Sequence, residues 1–395
     1  MAAGLLQCAK KARLMRILDD DEHVPGAGQS NRLAASLGGS GMSAREVAAA
    51  TPLVYIVLLN WNGWKDTIEC LESVYRLDYP RFRVIVCDND SHDGSLDRIK
   101  AWAAGELAAQ PFGVPLGDAP MRQSKPLAWV EYDRRQAEAG GIADEQAPLV
   151  LIRTGGNLGF AGGNNVGLRY AQARGDHGYA WLLNNDTVAQ SDALSQMVAR
   201  MRARPGTGIC GSKLIFYHRP DTVQAWGGAS YDESRGYVTP LGMFQKVSAA
   251  ADVAAIEAQM AYAVGASMLV SRELMSEVGL MTEDYFLYLE EIDWACRAKG
   301  RYTLAYADAS IVYHKEGGSI GSSSTGAQSS LAIHYLYRNR VRFIRRYYRP
   351  RFGAGLRQIA FEMLVLTKRR QFRAVRIAVM AVLGELLHGP RHPAA

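Results

Sequence analysis

The residues able to do chemistry fall into five short runs of this 395-residue chain. Asn184, Asn185 and Asp186 close the apolar stretch YAWLL. An acid beside two amides offers the oxygen ligands that a hard divalent cation prefers, and the same residues suit a turn that caps the next helix. Asp88, Asn89, Asp90 and Ser91 close a second apolar stretch, VIVC. A carboxylate there can accept hydrogen bonds from a nucleotide base or ribose; the run also reads as an Asx turn. GGNLGFAGGNNVG (155–167) sets six glycines ahead of a helical pattern, and glycines let backbone N–H groups approach a phosphate. The spacing is neither G-x-G-x-x-G nor a P-loop, so a dinucleotide dehydrogenase and an NTPase are poorly supported. Glu290, Glu291 and Asp293 follow the apolar run FLYL. On a helix, Glu290 and Asp293 share a face and Glu291 points about 100° away. A carboxylate held near a hydroxyl can act as general base, although acids in a first turn also simply complement the helix dipole. His314, after SIVY, is a structural histidine or a ligand for Mn²⁺.

These runs need elements that end where they begin. VYIVLLN (54–60), VIVC (84–87), LVLIR (149–153) and YAWLL (179–183) read as strands buried on both faces. Helical spacing between them makes a strand–helix–strand rhythm, hence a mostly parallel sheet with right-handed crossovers. Ligands of such sheets bind beyond the carboxyl ends of the strands, where the polar runs fall. Residues 104–148 hold five prolines and interrupt the rhythm. They read as an insertion on the sheet's rim with a hairpin around AWVEY (128–132). A helix is expected over 166–173, a strand feeding a helix at 261–271, and a Gly/Ser linker at 317–330. Residues 1–51 read as a poorly ordered extension, and 218–260 have no clear pattern.

Charge is unevenly spread. Residues 331–395 contain fourteen Lys and Arg against two Glu, while the whole chain is only +6. A basic tail of that kind suits phosphate groups on lipid or nucleic acid. No recognised nucleic-acid module accompanies it, so a nucleic-acid partner is not expected. Five cysteines without a C-x-x-C pair suggest neither a zinc site nor a disulfide framework. No run of about 18 uncharged apolar residues is present. RNRVRFIRRYYRPR (338–351) and the helical repeats beyond it predict a basic amphipathic segment lying on an anionic membrane surface. A cytoplasmic enzyme, peripheral at the inner membrane face, is the expectation.

NWNG, CDNDSHDGS, NLGFAGGNNVG, LLNND, YLEEIDWACR and HKEGGS occur in this order over Val54–Tyr348. That order resembles glycosyltransferase family 2, and its rhamnosyltransferase-like members in particular. The resemblance implies a GT-A fold: an α/β, Rossmann-like, mostly parallel sheet flanked by helices over 52–330, with a C-terminal helical segment (331–395). It implies a nucleotide-sugar donor, dTDP-L-rhamnose, with a UDP-hexose as the alternative. Trp61 and Asp88 would line the nucleobase, with Asn60, Asn62 and Asn89 beside them. Asn157, Gly159, Phe160 and Asn164 would belong to the donor loop. Asn184-x-Asp186 takes the place of the family's D-x-D, with Asn185 between. Asp186 would ligate Mg²⁺ or Mn²⁺, and His314 the metal or diphosphate. Glu291 falls where the family has its base, with Glu290 and Asp293 the neighbouring acids. Asn184 is neutral where many members carry Asp, and Glu291 is one methylene longer than the usual Asp. With the basic segment on a membrane, the acceptor expected is a polyprenyl-diphosphate-linked saccharide whose phosphates meet the basic face. A diphosphate is already a good leaving group, so one base suffices and inversion follows; a glycosidase would need two carboxyls. The rival from another class is a non-catalytic module binding sugar-nucleotides or polyanions.

Overall fold

An apolar run is stable in the interior only if its backbone groups are paired and both faces covered. β1 (Val54–Asn60) meets this condition: Val54–Leu58 are fully buried between parallel neighbours. The computed structural model describes residues 51–116, 119–315 and 329–389. The extension expected over 1–50 lies outside them, as does most of the 317–330 linker. After β1 come α1 (Trp64–Val74), β2 (Phe82–Asp88), α2 (Ser95–Ala104), β3 (Trp129–Asp133), α3 (Arg134–Glu138) and β4 (Leu149–Arg153). Next are α4 (Gly159–Arg174), β5 (Tyr179–Asn184), β6 (Thr187–Ala189), α5 (Ala193–Ala203) and β7 (Thr207–Phe216). The irregular region contains β8 (Val223–Trp226), β9 (Gly228–Asp232), β10 (Tyr237–Pro240) and α6 (Val253–Gln259). Then follow β11 (Tyr262–Ala263), β12 (Ser267–Ser271), α7 (Arg272–Val278), α8 (Glu290–Ala298) and β13 (Thr303–His314). The chain closes on α9 (Ser330–Tyr347), α10 (Phe352–Lys368) and α11 (Phe372–His388).

The main sheet has the order β3-β4-β2-β1-β5-β12-β7-β13-β6, with β8 on β7. β3, β4, β2, β1 and β5 are parallel. β12 runs antiparallel between β5 and β7, and β13 runs parallel to β7. The carboxyl ends of β1, β2, β5 and β13 therefore share one edge with the start of β12. Asn60, Asp88, Asn184 and His314 stand there. Ile68, Trp102 and Leu194 belong to one apolar core, and Val166, Leu274 and Trp294 to a second. This mostly parallel, helix-covered α/β sheet is the GT-A fold class expected from the sequence.

Three local expectations are corrected. The AWVEY stretch makes no hairpin. β3 is a lone edge strand parallel to β4, and an Asp133/Gln136 capping box turns the chain straight into α3. α4 starts at Gly159, not Val166. Its glycines are contact residues: a Cβ on Gly163 would strike Leu59, and one on Gly167 would strike Val57 and Cys87. The helix thus lies closer to the sheet than any side chain allows. Residues 261–271 make two strands, broken at Gly265.

The C-terminal helices belong to the same compact unit as the sheet. Arg340 pairs bidentately with Glu362, at 2.6 and 3.1 Å, and Arg342 with Glu385, at 3.0 and 2.9 Å. All four are buried. Bidentate arginine–carboxylate pairs satisfy several polar groups at once, so α9 is bolted to α10 and α11. The arginines that the sequence offered to a membrane are, in large part, internal fastenings.

Candidate active site

At the ends of β1 and β2, polar side chains shape two facing turns. Asp88 is buried; it accepts from Asn60 Nδ2 (2.8 Å) and Ser91 N (3.1 Å). Thr67 Oγ1 donates to Asn60 Oδ1 (2.9 Å). The two turns are then stitched together, Asn62 N to Ser91 Oγ (2.9 Å) and His92 N to Asn62 Oδ1 (2.8 Å). Asn62 and Asp90 sit at positive φ, a conformation that Asn and Asp tolerate. Trp61, half-buried, stands between these groups. The residues expected to form the nucleobase end are thus assembled in one place.

Asn89 carries this corner to the glycine-rich loop. Its Nδ2 donates to Asn157 Oδ1 (3.0 Å), and its Oδ1 accepts from Leu158 N (3.0 Å). Asn157 Oδ1 also accepts from Gly159 N (3.1 Å), while Phe160 N donates to Phe286 O (2.6 Å). Asn164 Nδ2 donates to Phe160 O (2.9 Å). The N–H groups opening α4 are therefore held by protein oxygens. Open space lies instead at Gly155 and Gly156, where an added Cβ would meet nothing within 4 Å.

Asp186 follows β5 directly, and β6 then pairs with β13 so that Thr187 lies opposite His314. That pairing sets His314 Nε2 3.2 Å from Asp186 Oδ1 and 3.4 Å from the Asn184 amide. His314 Nδ1 lies 2.9 Å from Gln224 Oε1. An amide oxygen only accepts, so Nδ1 donates to Gln224 and Nε2 is the nitrogen turned towards the Asp186 carboxylate. A protonated Nε2 makes this contact an ion pair. A histidine oriented through its other nitrogen is also the usual form of a metal ligand. Among the described residues no three His, Cys, Asp or Glu side chains converge on one point. A cation here would complete its shell with donor oxygens and water, as Mg²⁺ does. Asn185 turns away from this point and donates to Thr67 Oγ1 (3.0 Å).

The three acids of α8 have three different surroundings. Asp293 is fully buried and accepts from Thr282, Tyr285, Arg297 and Tyr347, with Arg346 Nη1 at 3.1 Å. It anchors α8 to α9. Glu290 is buried, and its Oε2 has no hydrogen-bond partner. Burial, then the neighbouring Glu291, pushes its pKa well up. Glu291 is half-buried and faces the turn between β11 and β12, where its Oε1 accepts from Gly265 N (3.2 Å). Burial raises its pKa while backbone N–H groups oppose the rise. A side chain at Gly265 would occupy this space, since a Cβ would lie 2.7 Å from Glu291 Oε1. Ala266, the next residue, accepts from Asn184 N (3.0 Å), which ties the turn under Glu291 to the end of β5 beside Asp186 and His314.

The loop into α8 is strained. Phe286, Tyr288 and Leu289 hold φ of +63°, +70° and +73°, a region that bulky residues avoid. Asn339 of α9, fully buried, donates Nδ2 to the carbonyls of Tyr285 (2.8 Å), Leu287 (2.7 Å) and Tyr288 (3.1 Å). Phe286 stacks on Tyr335 with ring centroids 4.6 Å apart. Sequence reasoning missed Asn339, Gln224 and Gly265. The one signal for Asn339 was an uncharged amide within an arginine-rich helical stripe; Gln224 lay in a segment without periodicity.

The sequence profile described as Glycosyl transferase family 2 matches residues 55–114 and 133–278, just over half of the chain. A curated relative is the low-salt glycan biosynthesis hexosyltransferase Agl10 of Haloferax volcanii. It is 24% identical over 195 residues, 48% of this chain and 58% of the relative. This chain therefore spans little more than half of that protein's length. Among solved structures, the mannosyltransferase PcManGT of Pyrobaculum calidifontis, in complex with GDP-Man and Mn²⁺, is 17% identical. The match covers 86% of this chain and 76% of that one, at a TM-score of 0.44. GalNAc-T7 with UDP, GalNAc and Mn²⁺ is 13% identical over 77% of this chain and 50% of that one, at a TM-score of 0.47.

Proposed function

This chain belongs to glycosyl transferase family 2, and from that premise we propose an inverting, metal-dependent transfer of L-rhamnose from dTDP-L-rhamnose. The acceptor is a hydroxyl of a polyprenyl-diphosphate-linked saccharide. The observation that carries the reaction type is Glu291: a half-buried carboxylate on the Gly265 N–H, one residue from the backbone link to Asn184. Asp88 and the turns it fixes receive the base. Asp186 and His314 would hold the cation, which supplies Lewis-acid neutralisation of the charge developing on the diphosphate. Glu291 takes the proton from the acceptor hydroxyl as that oxygen attacks the anomeric carbon from the face opposite the leaving diphosphate. Its raised proton affinity suits it to this step at neutral pH. A single base and a departing diphosphate give inversion. Glu290, packed without a partner for Oε2, stays out of the proton transfer.

The test is a donor panel of dTDP-L-rhamnose, UDP-hexoses and GDP-mannose with cell-derived lipid-linked saccharides, read by mass spectrometry with and without EDTA. The reading expects a rhamnosylated product, lost with EDTA and in Asp186→Ala. Turnover of a UDP-hexose alone overturns the donor; full activity in EDTA overturns the cation. No consumption of any donor would leave a binding module.

A further inference from the structure

α10 and α11 each bury one stripe and expose the opposite one. On α10 the buried positions include Gly355, Ile359 and Glu362; on α11 they are Ala378, Ala381, Val382 and Glu385. The exposed stripes are apolar: Phe361 and Leu364 on α10, Phe372, Met380, Leu383 and Leu387 on α11, between 47% and 73% accessible. Exposed large side chains gathered like this on one helical pair mark an interaction surface. The turn between the helices is basic. Lys368, Arg369, Arg370, Arg373 and Arg376 are all exposed. The two acids of 349–389 are Glu362 and Glu385, both buried and neutralised by Arg340 and Arg342. The outward face of the pair thus combines apolar side chains with uncompensated positive charge.

We propose that this face, rather than the 338–351 run, docks the protein on an anionic phospholipid bilayer. Both helices lie in the interfacial plane. Apolar side chains reach the acyl boundary while the basic turn meets the headgroups. Among the described residues no helix is long and apolar enough to cross the bilayer, so docking is reversible. A second copy of the chain is the poorer occupant. A two-fold interface sets the same patch against itself, and here that would oppose two basic turns.

The test uses the full chain and floats it with phosphatidylcholine vesicles, with or without phosphatidylglycerol. Wild type should float with the anionic vesicles at low salt and be released at high salt. Each basic residue near such a surface is worth about fivefold in partitioning. Combined Arg369→Glu, Arg370→Glu and Arg373→Glu should therefore lower it by at least about 100-fold. Phe361→Ser with Leu383→Ser should weaken binding at low salt, although it leaves the charge unchanged. These side chains are exposed, so folding is checked by circular dichroism and donor turnover, neither of which should change. Equal partitioning of wild type and both variants overturns the proposal. So does a wild type that stays with the lipid-free fraction, or one that sediments as a dimer dissociated by the serine pair.

Discussion

Asn339→Ala tests whether a helix far along the sequence sets the geometry of the base. The loop it holds carries three bulky residues at positive φ, each costing about 1–2 kcal/mol relative to a relaxed backbone. Against about 3–6 kcal/mol of strain stand the two N–H groups of the Asn339 amide, shared among three carbonyls, each N–H contributing about 1 kcal/mol net. Removing the amide takes away up to about 2 kcal/mol and leaves the buried Leu287 carbonyl short of a donor, while Tyr285 O keeps Leu287 N. The loop is then free to relax and swing Glu290 and Glu291 out of register. Turnover, followed as release of the nucleoside diphosphate, should fall by up to about 30-fold. Nucleotide affinity by calorimetry should change little, because the β1 and β2 turns are fastened independently. Asn339→Asp should be worse than alanine, since a carboxylate would face three carbonyl oxygens. An alanine variant within twofold of wild type, or an aspartate variant more active than alanine, would refute the reasoning.

Glu291→Gln keeps the shape and removes the proton acceptor, so kcat should drop by about 10²–10⁴ with nucleotide binding intact; Glu290→Gln should retain more activity, and the reverse ranking would reassign the base. Burial raises the Glu291 pKa, so the acid limb of kcat/KM should fall at a pH above the usual glutamate value of about 4.3. Glu290 binds its proton more tightly folded than unfolded. Its contribution to stability is therefore full below the ordinary glutamate range and is lost as pH rises through the raised value. In urea titrations the stability of wild type relative to Glu290→Gln should decline with rising pH, and a difference that does not vary with pH counts against the buried-proton account.

Strands buried on both faces were the most legible parts of the chain. The runs 54–60 and 149–153 coincide with β1 and β4, because an unbroken apolar run has few other places to go. Glycine misled the helix boundary: low intrinsic propensity suggested a loop, whereas Gly163 and Gly167 are where α4 presses on the sheet. Helical spacing correctly separated Glu291 from Glu290 and Asp293, but not their surroundings. Those come from Gly265 on one side and from Tyr347 and Arg346 on the other. The Asp186–His314 pairing spans more than a hundred residues and is set by the β6–β13 ladder, which no local pattern records. The basic tail showed its charge but not that two of its arginines would be consumed by Glu362 and Glu385.

α9 has a bearing on how such a chain can be divided or inherited. One side of this helix fixes the loop of the base through Asn339; another is locked to α10 and α11 through buried ion pairs. A gene fusion or natural recombination that exchanges the last two helices must therefore join after Tyr348. A seam at residue 330 would sever the support of the loop that leads into Glu290 and Glu291. Downstream of Tyr348, α10 and α11 can diverge so long as a carboxylate meets each buried arginine. The exposed faces of these two helices could then drift between lineages while the loop held by Asn339 keeps its shape.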